Sequence, residues 1–410
     1  MESFLEPLHE PLAGPRPRAE DFQPPGEIAA LRNRAWIVGG MASVLCLIGV
    51  FTSPGQFYRS YLVGYLLWSG VALGSWALLM LHHMSRGAWG LMVRRVWEAA
   101  TRTLPVMALL FVPVILGISQ LYEWSHPEAV AHSEVLRQKA AWLNRNGFIL
   151  RTVVYFAIWC GLGWLLTSRS RRQDEASPAE ATALFRRMQT IAGPGIVIYV
   201  LTMTLASVDW LMSLDPHWTS SIYGLYFVIS QGLSALAFTV LVAAWLAKRE
   251  PMAANLQPRH LHDYGKLLLA FLMVWAYFSF SQFLIIWSAN LPEEATFYHR
   301  RLHGGWQYVS LGIVLFHFAL PFLLLLSRDI KRSARRIAPV ALFLLLVRWL
   351  DWAWQATPTL YPERLHVSWL DFVTPVAIGG IWLGFFFHQL MRRPLIPVND
   401  PYMAEALEHE

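Results

Sequence analysis

The chain alternates long apolar runs with short polar intervals. A helix needs about 20 mostly apolar residues to cross the hydrocarbon core of a bilayer. Ten windows approach or exceed that length: residues 34–51, 61–82, 103–122, 147–167, 190–214, 222–246, 265–289, 304–327, 338–357 and 372–391. Apolar residues run on continuously within them, without the alternation of a strand, so the pattern predicts helices rather than a β-barrel. The first window is the shortest, and the ninth carries Arg348 and Asp351. The predicted architecture is an all-α integral membrane protein with ten transmembrane helices. Residues 1–33 form a polar arm, 34–391 the membrane domain and 392–410 a tail.

Composition agrees with this reading. Charged residues are 15% of the chain, against roughly 25% in a soluble protein, too few to cover a soluble surface. Two cysteines, Cys46 and Cys160, both inside apolar runs, exclude a disulfide framework or a thiolate-held cluster. The net charge of +6 does not point to nucleic acid, because its distribution explains it. Lys and Arg gather in the two tails and the even-numbered loops, for example Arg169, Arg171, Arg172, Arg186 and Arg187 in the fourth. By the positive-inside rule both termini are cytoplasmic. The arm, with Pro11, Pro15, Pro17, Pro24 and Pro25, lacks the short apolar region and cleavage site of a signal peptide. No phosphate-cradling loop or dinucleotide fingerprint is present, which argues against an ATP-driven transporter subunit.

An ionisable group inside a bilayer is costly, so each one is a functional candidate. Asp209 and Ser213 are four apart near the end of the fifth window and share a helix face. Asp209 serves either a structural hydrogen bond or proton transfer, while Asp215 and His217 mark the boundary turn. His303, Gln307, Ser310 and His317 fall on one face of the eighth window, a stripe reaching about 21 Å into the membrane. It is either an interhelical hydrogen-bonding seam or a proton route, and His317 is also a candidate haem ligand. Arg348 and Asp351, three apart, form either a neutral structural pair or a gate on a proton path. Asp371 opens the tenth window at the depth of Asp209 and Asp351. His82, His83 and His388 lie at window ends, where a solvated histidine needs no explanation, and His260 and His262 are weak metal ligands. No metal site and no haem held by this chain are expected. Gly70 and Gly74 allow close helix approach, and Trp349, Trp352, Trp354 and Trp369 read as an interfacial aromatic belt.

Three stretches carry a resemblance. The run from Ser207 through Asp209-Trp210, Ser213, Asp215-Pro216-His217-Trp218 to Tyr223-Gly224 is similar to a signature of the bacterial alternative complex III. The family it resembles is one of the two kinds of ten-span membrane component in that complex, the one distinct from its quinol-oxidising sister. Trp124-Ser125-His126-Pro127-Glu128 and Lys139-Ala140-Ala141-Trp142-Leu143-Asn144, leading to Arg151 and Tyr155-Phe156-Ala157-Ile158-Trp159, resemble it too. So does Gln282 through Trp287-Ser288-Ala289-Asn290-Leu291-Pro292-Glu293-Glu294, with Tyr298 and Arg300. The likeness covers about residues 30–395 and leaves out the arm.

The resemblance implies a polysulfide-reductase-like, NrfD-type subunit of a quinol:cytochrome c oxidoreductase in a respiratory or photosynthetic electron transport chain. It implies two four-helix bundles plus flanking helices, and residence in the bacterial cytoplasmic membrane. It also implies partners: a homologous ten-span subunit, an iron–sulfur subunit and c-type cytochromes. Haem c and iron–sulfur clusters belong to those partners, quinone is a possible ligand here, and the chain contributes a proton translocation path. The competing reading is a stand-alone proton-coupled secondary transporter. Inverted repeats and helices broken near the midplane favour that reading, and Pro194 and Pro321, read as near window ends, supply no paired break.

Overall fold

The ten windows become ten long helices in a computed structural model that describes residues 18–407. They are α1 (Glu27–Thr52), α2 (Pro54–Ser85), α3 (Leu91–Leu116), α4 (Arg145–Glu175), α5 (Pro178–Trp210), α6 (Tyr223–Leu246), α7 (Pro258–Ala289), α8 (Trp306–Leu326), α9 (Ala334–Leu360) and α10 (Trp369–Leu390). Among the described residues there is no strand.

Several ends lie well outside the predicted windows, and local chemistry explains them. The Ser177 side chain caps α5, accepting from Glu180 N at 3.4 Å, and Pro178 opens its first turn. Twelve further residues therefore join α5 ahead of position 190, which leaves Pro194 inside the helix rather than near its end. Because α4 runs on to Glu175, the five arginines of the fourth loop sit on helix ends. Residues 27–33 belong to α1 rather than to a free arm, while Pro11, Pro15 and Pro17 lie outside the described residues.

Two helices depart from regular geometry. α3 begins twelve residues before its predicted start and is broken into Arg94–Thr101, Leu104–Leu110 and Val112–Leu116. Pro105 and Pro113 each remove an amide donor that a continuous helix would use. Within α8, residues Ile313–Ala319 widen into a π-helical turn, just before Pro321.

α2 and α6 form the centre. Of their apolar windows, 89% and 83% are buried, against 22% for α1, α7 and α8. α2 packs against α3, α5, α6 and α10; α6 packs against α2, α5, α7 and α9. At the α2–α6 crossing a Cβ on Gly74 would stand 2.2 Å from the Gln231 carbonyl oxygen, so only glycine fits; Gly70 makes ordinary contacts. α1 rests on α10 through Gly39 and Gly380, where added Cβ atoms would meet the opposite backbone at 2.7 and 2.4 Å. Phe51, Trp164 and Trp287 are among many large apolar side chains exposed on the outer helices, a surface suited to lipid. Leu395 N donates to Phe22 O at 2.8 Å, so the two described termini lie at one end of the bundle, here the terminal end.

Candidate functional site

The most enclosed charge pair sits between α6 and α9. Arg348 and Asp351 bond one turn apart on α9, and both side chains are 0% exposed. Asp351 Oδ2 also accepts from the Tyr226 hydroxyl at 2.7 Å. Gln355 Nε2 donates to that hydroxyl at 2.8 Å, and Tyr223 donates to Gln355 Oε1 at 3.2 Å. On the other side Arg348 Nε reaches Ser234 Oγ at 3.4 Å. Asp351 Oδ1 and Arg348 Nη2 are buried with no hydrogen-bond partner among the described residues. The Trp275 indole faces Asp351 without closing a hydrogen bond to it, and packs edge-on against His317 at 3.9 Å.

Asp209 is held quite differently. Arg151 approaches it with Nε 2.9 Å from Oδ2 and Nη2 2.8 Å from Oδ1. Trp142 Nε1 donates to Oδ1 at 2.9 Å, and the Tyr155 hydroxyl donates to Oδ2 at 2.9 Å. The Arg151 guanidinium lies 4.1 Å above the Trp142 ring and also donates to the Trp142 carbonyl at 2.9 Å. This clamp ties the third loop and α4 to the end of α5. α5 stops at Trp210 and a 3-10 turn follows, so Ser213 Oγ bonds the Asp209 carbonyl at 2.6 Å rather than lying beside its carboxylate.

The stripe expected along the eighth window is not continuous. Gly304 and Gly305 have φ of 62° and 98° and end the preceding short helix, Pro292–Arg301, before α8 starts at Trp306. His303 is therefore off the helix, exposed and stacked on His299 at 4.1 Å. Gln307 accepts from Gly305 N at 2.8 Å. Ser310 donates to the Arg301 carbonyl at 2.8 Å and accepts from Trp354 Nε1 at 2.7 Å. Of the four, only His317 is buried at full depth, on the π turn and with both ring nitrogens unpartnered among the described residues.

Asp371 belongs to neither aspartate's network. It closes a capping box with Ser368, whose N lies 2.7 Å from Oδ2, and its Oδ1 accepts from Ser60 Oγ at 2.5 Å and Gln56 Nε2 at 3.2 Å. Among the described residues Asp209, Asp351 and Asp371 share no hydrogen-bond partner. Asp215 accepts from Arg300 Nη1 at 2.6 Å and, with Arg59, Glu123, His126 and His217, lines a cleft of about 420 Å³ at the end opposite the termini. Next to it the Arg301 guanidinium, pulled down to about 10 by burial, still stays charged at neutral pH and bonds the Gln355 carbonyl at 2.6 Å. Of the four tryptophans read as an interfacial belt, Trp352 is buried beneath Arg348 at 4.9 Å, Trp354 holds Ser310, Trp349 is half-buried and Trp369 is exposed.

Two features were not anticipated. At the terminal end, Arg94, Arg95 and Arg393 interleave with Glu98, Asp174 and Asp400. Arg94 Nη1 meets Asp400 at 2.5 Å, Arg94 Nε meets Glu98 at 2.8 Å, and Arg393 Nη1 meets Glu98 at 3.0 Å. His82 and His83 lie beside this cluster and, contrary to the solvated reading, are 1% and 0% exposed with all four ring nitrogens unpartnered among the described residues.

The second feature is a polar stripe on the central helices. Tyr223, Tyr226, Ser230 and Ser234 share a face of α6, spanning about 16 Å. Ser75, His82 and His83 continue in polar character along α2 toward the terminal end. The stripes meet where Gly74 touches Gln231, whose Oε1 accepts from Tyr199 at 2.7 Å. Ser75 Oγ, Trp76 Nε1, Ser230 Oγ and Gln231 Nε2 are buried without partners among the described residues. Repeated Ser and Tyr at helical spacing carried this signal, but a search for ionisable residues passes over it. No known family model matches the sequence, and no curated protein matches it.

Proposed function

We propose that this chain is a proton-conducting membrane subunit of a quinol:cytochrome c oxidoreductase of the alternative complex III type. Both termini are then cytoplasmic, and two four-helix bundles are flanked by further helices, a reading supported by the α1–α10 pairing. The partners are a homologous ten-span subunit, an iron–sulfur subunit and c-type cytochromes, which carry the haem and clusters, with quinone a ligand at the assembly.

The observation that carries the reading is Asp351: a fully buried carboxylate with one oxygen committed and one free. Buried polar atoms that protein does not satisfy are ordinarily satisfied by water, and such atoms extend from Asp351 to His82 and His83. Toward the opposite end Tyr226, Gln355 and Tyr223 offer hydroxyl and amide groups in series. Arg348, a donor that does not deprotonate, fixes a positive charge beside the carboxylate and opposes free passage of cations. The path so described follows α6 and α2, with His317 beside it, rather than α8; Asp209 and Asp371 serve as anchors at its margins. The resemblance in the 207–224 run supplies the quinol-linked setting.

The test is the proton-to-electron ratio of the whole complex in sealed vesicles. Asp351→Asn should lower the ratio while quinol oxidation continues; an unchanged ratio contradicts the proposal.

One observation favours the secondary transporter. α3 and α8 are each the third helix of a five-helix half, and both are irregular, as paired interruptions in transporters are. Solute-dependent proton uptake by vesicles holding this chain alone would decide for that reading, and co-purifying cytochrome would decide against it.

A further inference from the structure

A wide cleft lies at the α8–α9 hairpin, far along α9 from Asp351. Its volume is about 800 Å³, and its walls are Leu320 and Leu324 of α8 and Pro339, Val340 and Phe343 of α9, with Ile330 of the short helix Arg328–Arg332 between them. The surfaces flanking it are apolar and open, with Leu323 63% and Leu346 59% exposed, as expected of a lipid-facing side.

The rim has a different character. Arg335 and Arg336 line the cleft, are exposed, and make no ion pair or hydrogen bond among the described residues through their guanidinium groups. The arginines that are paired at other helix ends are buried or half-buried: Arg94, Arg95 and Arg393 share three carboxylates, and Arg300 holds Asp215. The segment 328–336 adds Arg328, Lys331 and Arg332 against one acid, Asp329, so no local carboxylate set neutralises the pair. The N-cap Ser333 does not close the first turn of α9 with its side chain, so the positive helix terminus faces the same rim.

An occupant must therefore bring apolar length and a negative head together. We propose that this cleft is a binding site for an anionic phospholipid, its acyl chains along Leu320, Leu324, Val340 and Phe343 and its phosphate against Arg335 and Arg336. A basic pocket between transmembrane helices is suited to such a headgroup. The site is independent of the proton path, because none of its residues belongs to the Asp351 network.

The test uses the full chain, delipidated in detergent and titrated with phosphatidylglycerol or phosphatidylcholine while bound lipid is counted by native mass spectrometry. One phosphatidylglycerol per chain should bind more tightly than phosphatidylcholine. Arg335→Gln with Arg336→Gln should weaken it by roughly 30-fold, the loss expected of two basic side chains at a membrane surface. Leu320→Trp, which fills the cleft and keeps both charges, should weaken it at least several-fold. Equal binding of the two lipids by the unaltered chain overturns the proposal, and that comparison needs no variant to fold. Unchanged binding in Leu320→Trp also overturns it, because attraction would then be diffuse. A photo-crosslinker at position 324 in cells that captures protein rather than lipid overturns it in favour of a partner segment.

Discussion

Asp209 and Asp351 are both buried, and each has an arginine, yet they differ in what is left over. Both oxygens of Asp209 are taken, by Arg151, Trp142 and Tyr155, and the cation is pinned in turn to the Trp142 ring and carbonyl. Asp351 has one oxygen bound by Arg348 and Tyr226 and one free, with the second Arg348 amino group also unpartnered. A carboxylate with every lone pair engaged by fixed donors is a fastener. A carboxylate with an open oxygen, next to other open polar atoms, has somewhere to take and pass a proton. Burial alone does not separate these roles; the count of satisfied atoms does.

The largest effect expected is at the fastener. Arg151→Leu leaves Asp209 buried without its cation, and should lower stability by roughly 3–5 kcal/mol, read as loss of resistance to denaturant in mixed micelles. A loss no larger than that of an ordinary surface substitution would erase the contrast between the two aspartates.

Next is the crossing that brings the two polar stripes together. Gly74→Val forces side-chain atoms into the Gln231 carbonyl, and should cost about 1–3 kcal/mol by overpacking. It should slow proton movement while leaving the Asp209 clamp intact, as judged by unchanged protection of the third loop from proteolysis. Full proton movement with α2 displaced would argue that the stripe on these helices is packing alone.

The smallest effect sharpens the boundary of the path. His303→Ala removes an exposed ring beyond the two glycines and should change stability by less than about 0.5 kcal/mol, with proton movement unaltered. A marked loss of proton movement would extend the path to the loop ahead of α8.

The ten helices were readable from apolar run length, and the Arg348–Asp351 contact from three-residue spacing, because both are local properties. The clamp was not: Trp142, Arg151 and Tyr155 come from a loop and another helix, and no spacing links them to Asp209. The stripe failed for a different reason. The eighth window opens on Gly304 and Gly305 with His303 read as its continuation, and only their positive φ reveals that His303 and Gln307 are on different elements. The start of α3 was hidden by its own charges, since Arg94, Arg95 and Glu98 depress local hydropathy while neutralising one another inside the fold. Neutral polar positions on α2 and α6 were missed because serine and tyrosine are common in membrane helices and gain meaning only when their partners are counted.

The most direct measurement of the central claim is infrared difference spectroscopy of the lipid-reconstituted protein across a pH step, following the carboxyl C=O band. A band should appear in the unaltered chain, persist in Asp209→Asn, vanish in Asp351→Asn, and shift in Tyr226→Phe, which removes the neutral hydrogen bond to Asp351. A band that survives Asp351→Asn and vanishes in Asp209→Asn would contradict the account, because the fastener and the proton carrier would then have exchanged places.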